Sequence, residues 1–241
     1  MPILCYKDSL KEPENPTVAD QDTLRIYIGL LGFSLPFILP IWLFCHSQYA
    51  RPLNSISHYY YSRANSAFVI TLGVLAAVLL VYKGKRRRDF WLSSTAAVSA
   101  LLVILAPTNI GVKADAMPAY FITYLNESHT REVIHFVAAG LFLSCLAIMS
   151  YVRFPENDSS DEKPKPLDRF MYKFCGVVMG LALAFIFLGA KGILIDEAWF
   201  ERHQGIFWGE AVAVWFFGYS WLLKARFFRK TLALSKKMTA S

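Results

Sequence analysis

His58, Glu132, His135, His203 and Glu210 are the side chains best suited to chemistry in this chain of 241 residues, and they fall in three separate segments. NSISHYYYSRAN carries His58 behind Ser55 and Ser57. NESHTREVIHF carries His129, Glu132 and His135 at three-residue spacings. LIDEAWFERHQGIFWGEAV carries Asp196, Glu197, Glu201, His203 and Glu210. Three kinds of chemistry fit. Imidazoles from three segments, His58, His135 and His203, could hold a zinc ion, with Glu132 or Glu210 as a further ligand or as the base acting on a metal-bound water. The chain has one E-x-x-H, where a di-iron helix bundle uses two. Without a metal, Glu210 could exchange protons with a histidine, in catalysis or along a proton-coupled pathway. Thirdly, the same groups could be structural, a hydrogen-bonded polar cap that seals a bundle.

The local spacing adds detail to each segment. Asn54 or Ser55 can cap a helix that begins there, because a side-chain oxygen accepts from the orphan amides of a first turn. On such a helix His58, Tyr61, Ser62 and Asn65 follow at i, i+3, i+4 and i+7 and share a face. Tyr59, Tyr60 and Tyr61 also suit an interfacial belt, ring in lipid and hydroxyl in water. His203 and Glu210 lie two helical turns apart and would stack if the last helix starts early. The expected pocket is lined by Ser55, Ser57, His58, Tyr61, Glu132, His135, His203 and Glu210.

What must position these groups is a set of membrane-spanning helices. Hydrophobic residues make up 55% of the chain and the mean hydropathy is +0.37. That excess is gathered into blocks near 23–45, 65–82, 90–107, 132–152, 170–190 and 205–223, each nearly free of charge. Blocks of about 20 residues match a hydrocarbon core of about 30 Å at 1.5 Å per residue. Backbone groups cannot meet water there, and strict alternation over ten residues, the mark of a barrel strand, is absent. The expected fold is all-α, a polytopic bundle of six transmembrane helices, with residues 1–22 as an N-terminal tail and 224–241 as a basic C-terminal tail. The acidic start and the lack of a small-residue cleavage site make the first block a retained span. Glu210 would then lie about 8 Å inside the last span, where a carboxylate normally faces a cavity or a partner.

Charge orients this bundle. Of 25 Lys and Arg, 19 fall in the tails, in the loops after spans two and four, or at the adjoining span ends (Arg25 and Lys173), against Arg51, Arg63, Lys113, Arg131, Lys191 and Arg202 on the other side. The positive-inside rule then puts both termini in the cytoplasm and all five histidines at the extracytoplasmic face. The formal charge of +7 is thus mostly a topology signal, and basic residues that flank spans argue against nucleic-acid binding. KARFFRK after the last span reads as an anchor to anionic lipid, so membrane lipids are the expected partner. RFPENDSSDEKPKPLDRF between spans four and five reads as a flexible linker. Asp89, after KRRR, is a structural helix cap. Cys5, Cys45, Cys145 and Cys175 show no paired spacing. Gly176 and Gly180 form a small-xxx-small pattern suited to close helix contact. No phosphate-gripping glycine loop, nucleophile elbow or zinc-protease helix occurs.

Several stretches, in order, carry a resemblance: LRIYIGLLGFSLPFIL, SISHYYYSRANSAFV, VYKGKRRRDFWLSS, LAPTN, VIHFVAAGLFL and FWGEAVAVWFFGYSWLLKA. Together they resemble a family of uncharacterised bacterial six-span inner-membrane proteins, with SISxYYY before span two and FWxEA in the last span as the most specific parts. The resemblance implies a bacterial inner-membrane protein and brings no established reaction. Its family-like positions are Ser55, Ser57, Tyr59, Tyr60, Asp89, His135 and Glu210, and ANSAF stands where a more acidic start to span two belongs. The leading expectation is an integral membrane protein of unassigned activity with a polar His/Glu/Tyr pocket. A lipid-directed membrane hydrolase, with or without zinc, is the alternative, and a small proton-coupled transporter comes behind it.

Overall fold

A computed structural model describes residues 21–82, 86–156, 164–193 and 195–227. Seven α-helices follow in chain order: α1 Gln21–Ser47, α2 Asn65–Val81, α3 Arg87–Leu105, α4 His129–Ile148, α5 Pro166–Ala190, α6 Glu197–Arg202 and α7 Gly205–Lys224. A 3-10 turn, Ile56–Tyr61, precedes α2, and a π turn, Met149–Arg153, continues α4. Among the described residues there is no strand, only an isolated bridge between Ser62 and Phe121.

Five helices (α1, α3, α4 with its π turn, α5 and α7) are long and apolar enough to cross a membrane, and α2 is a shorter apolar helix of 17 residues. Large apolar side chains stand exposed along them, among them Ile41, Ile70, Leu105, Phe136, Leu181 and Phe187. Water would penalise so continuous an apolar surface, whereas lipid does not. The chain is an integral membrane protein built as an all-α bundle.

The helices close a ring in sequence order, with α7 packed against both α1 and α5 and each of α1 to α5 against the next. Two contacts set that closure. A methyl group on Gly218 of α7 would lie 2.5 Å from the Phe33 backbone nitrogen and 2.7 Å from the Gly29 carbonyl oxygen, so α1 and α7 touch backbone to backbone. On the other side a methyl group on Gly176 would meet Tyr151 Cβ at 2.5 Å. Gly180, expected to join Gly176 in a close contact, faces open space: it meets nothing within 4 Å, because the π turn brings Tyr151 to one glycine only.

The end of the bundle that holds the starts of α1, α3 and α5 is charged. Asp89, in the first turn of α3, accepts from the Arg86 amide (3.2 Å) and also pairs with Arg153 Nε (2.5 Å), delivered by the π turn. Arg153 and Arg86 both reach Glu156, and buried Lys224 donates to the Phe154 carbonyl oxygen at 3.2 Å. Cys145 and Cys175 are buried free thiols and Cys45 is an exposed one, while Cys5 lies outside the described residues.

Candidate functional site

The opposite end holds the 3-10 turn, and its sequence explains its shape. Ser55 caps the turn by accepting from the Ser57 amide (3.0 Å), and Ser62 ends it, its hydroxyl donating to the Tyr59 carbonyl oxygen at 3.0 Å. A run of three tyrosines would suit a lipid interface, yet Tyr59 and Tyr61 are both fully buried. Burial raises the pKa of both phenols above its ordinary value. The Tyr59 oxygen accepts from the Leu53 amide (3.3 Å), and the Tyr61 hydroxyl donates to the Thr108 carbonyl oxygen (2.6 Å).

Glu210, in the second turn of α7, fastens the turn from one side. Its carboxylate accepts from the Ile56 amide (2.6 Å) and from the Ser55 hydroxyl (3.0 and 3.2 Å to its two oxygens). The Phe207 amide adds a bond to the Asn54 carbonyl oxygen at 3.0 Å. These protein donors offset part of the desolvation cost of a carboxyl group inside a span.

His135, in the second turn of α4, fastens the turn from the other side. Its Nε2 lies 2.9 Å from Ser57 Oγ, and its Nδ1 lies 2.9 Å from the Ala106 carbonyl oxygen. A carbonyl can only accept, so Nδ1 carries a proton. In the neutral ring Nε2 is then an acceptor, and the Ser57 hydroxyl is its donor. Both residues are almost wholly enclosed, Ser57 at 5% and His135 at 2% exposure.

Behind these side chains stands a feature that the sequence did not advertise. The carbonyl oxygens of Ala106, Pro107, Thr108 and Asn109, at the end of α3, each accept from a different side chain: His135, Arg131, Tyr61 and His58 in turn. Asn109 binds further, to Arg131 through its side-chain oxygen (2.8 Å) and to Glu132 through its amide (3.2 Å). Buried carbonyls need donors, and of the four that this segment collects, those from His135, Tyr61 and His58 are functional candidates. Its only signal in the sequence was the Pro-Thr-Asn that ends span three.

His58 faces this segment with Nε2 3.2 Å from the Asn109 carbonyl oxygen. Its pKa is lowered to about 4, chiefly because burial disfavours the charged ring, with the neighbouring His135 adding to the effect against the opposing pull of the Asn109 carbonyl. His58 and Tyr61 keep a shared face, since residues three apart eclipse in a 3-10 helix. Asn65 turns away to the Tyr60 carbonyl, because α2 starts separately.

His203 is not part of the cluster. Gln204 adopts a left-handed conformation (φ 51°) that breaks α6 from α7, so the spacing of His203 and Glu210 no longer places them on one helix face. The His203 ring instead stacks on Trp199 at 4.0 Å and bonds the Trp199 carbonyl oxygen at 2.7 Å, exposed to solvent. His46 repeats this arrangement on Trp42. The zinc set expected from His58, His135 and His203 is therefore not assembled. Among the described residues no three His, Cys, Asp or Glu side chains converge as metal ligands, and both ring nitrogens of His135 are engaged by protein oxygens.

Ser55, Ser57, His58, Tyr61, Glu132, His135 and Glu210 do share one end of the bundle. The chain matches no family model, no curated protein and no solved structure.

Proposed function

We propose that the chain is a six-span protein of the bacterial inner membrane, both termini cytoplasmic, that acts on membrane lipids at its outward face through a metal-independent Ser/His/Glu centre. The observation that carries this reading is the convergence on one short turn of Glu210, from α7, and His135, from α4, each through direct hydrogen bonds. The length of α2, 17 residues or about 25 Å, supports counting it as a span, since it packs between α1 and α3, two helices long enough to cross. The excess of Lys and Arg at the Asp89 end supports the orientation. The resemblance in the SISxYYY and FWxEA stretches supports the bacterial inner membrane.

Topology is the test. A fluorescent protein fused after residue 241 should fluoresce in bacteria, and alkaline phosphatase fused within the loop between α3 and α4 should be active. The reverse pattern would place the Ser/His/Glu centre at the cytoplasmic face and overturn the reading.

A further inference from the structure

The pairing of Ser57 with His135 has more in it than a brace. We propose that Ser57 is a nucleophile and His135 its general base, and that the substrate is a carboxylic ester of a membrane lipid; this rests on the reading of the centre as outward-facing and lipid-directed.

A serine nucleophile needs a base within hydrogen-bond reach and a third group that fixes the base. Here the base nitrogen is 2.9 Å from Ser57 Oγ, and the orienting group is the Ala106 carbonyl oxygen, 2.9 Å from the other ring nitrogen. That carbonyl selects the tautomer in which Nε2 can take the hydroxyl proton. Ser57 itself is held in place by its amide bond to the Ser55 hydroxyl oxygen, and Ser55 by Glu210. Glu210 touches neither reacting atom and is a positioning residue.

Depth selects the substrate. The helix His129–Arg153 has 25 residues, about 37 Å, and so overshoots a hydrocarbon core of about 30 Å. His135, six residues from its start, lies near the boundary between headgroups and acyl chains, where the ester groups of lipids reside. One flank is apolar, with Phe207 packed against Tyr59 of the turn. A loop borders the turn, held to it by Ile122 N–H to the Tyr61 carbonyl oxygen (2.8 Å) and Arg63 N–H to the Tyr120 carbonyl oxygen (3.0 Å), bonds that open at lower cost than a packed helix.

In the reaction, Ser57 Oγ bonds to the ester carbonyl carbon as its proton passes to His135 Nε2. The ester C–O bond then breaks, and the alcohol leaves with that proton. Water, deprotonated by the same nitrogen, hydrolyses the acyl-serine and restores both groups.

An alkyl fluorophosphonate tests this, because Ser57 would form an Oγ–P bond and release fluoride. Membranes holding the full chain are treated with the probe and the adduct is mapped by mass spectrometry. The expected result is one adduct, on Ser57, absent in Ser57→Ala and formed at least 100-fold more slowly in His135→Gln. No adduct in the native chain, or one that persists in Ser57→Ala, would overturn the proposal. Mapping in the native chain depends on no variant folding. A charged, impermeant version separates this from orientation. Labelling in inverted vesicles but not in spheroplasts would keep the Ser57 assignment and sink the outward-facing reading.

Discussion

Glu210 Oε2 lies 2.6 Å from the Ile56 amide nitrogen, and this bond ties the last spanning helix to a turn 154 residues earlier in the chain. The Ser55 hydroxyl joins it, so the carboxylate serves two donors of the turn at once. Removing it leaves both without a partner. Glu210→Ala should therefore destabilise the protein by about 1–3 kcal/mol, the cost of leaving buried donors unsatisfied. Glu210→Gln, which keeps one acceptor oxygen, should cost less than half of that. Thermal unfolding in detergent distinguishes them, and equal melting temperatures for the two variants would contradict the clamp.

His58 makes stability depend on pH. Its pKa is near 4 when folded and near 6.5 when free, so the unfolded chain binds the proton more readily. Stability from this group is fully present above about pH 6.5 and is lost as pH falls toward 4, by at most about 3 kcal/mol. The native protein should lose melting temperature over that window, and His58→Gln should lose less. An identical decline in both would exclude His58 as the cause.

Much of the fold was legible in the sequence because length and apolarity are properties of single segments. All six blocks became helices within a few residues of the expected bounds. The site was legible only in part. Ser55, Ser57, His135 and Glu210 stand out by residue type, but the carbonyls of residues 106–109 that complete the centre have no side-chain signature. The stacking of His203 over Glu210 failed at one backbone angle, since Gln204 is left-handed and no pattern of side chains announces that. The tyrosine run misled in the same way: an interfacial belt and a buried turn use the same rings, and only the partners of Tyr59 and Tyr61 decide.

At the other end, Asp89 and Arg153 are a largely buried ion pair, with side chains 12% and 7% exposed. Losing Arg153 leaves the Asp89 carboxylate without its counter-charge, and losing Asp89 leaves Arg153 with Glu156 alone. Asp89→Asn and Arg153→Met should each cost about 3 kcal/mol, whereas the double variant should cost clearly less than the two together. Strict additivity in the melting data would mean that the pair carries no coupling.

Gly218 and Gly180 differ in what surrounds them, and alanine should reveal it. Gly218→Ala forces a methyl group against the α1 backbone, which cannot move aside as a side chain can, and should lower the melting temperature sharply. Gly180→Ala meets open space and should be neutral or slightly stabilising. Equal tolerance at both positions would contradict the close crossing of α1 and α7.

The central claim is that the Ser/His/Glu centre is held by protein hydrogen bonds and needs no metal. Its most direct test is metal content per chain, by elemental mass spectrometry on protein purified without chelators, alongside His135→Ala and Glu210→Gln. The account predicts zinc and iron far below one per chain in all three. Near-stoichiometric metal in the native protein that disappears in either variant would contradict it.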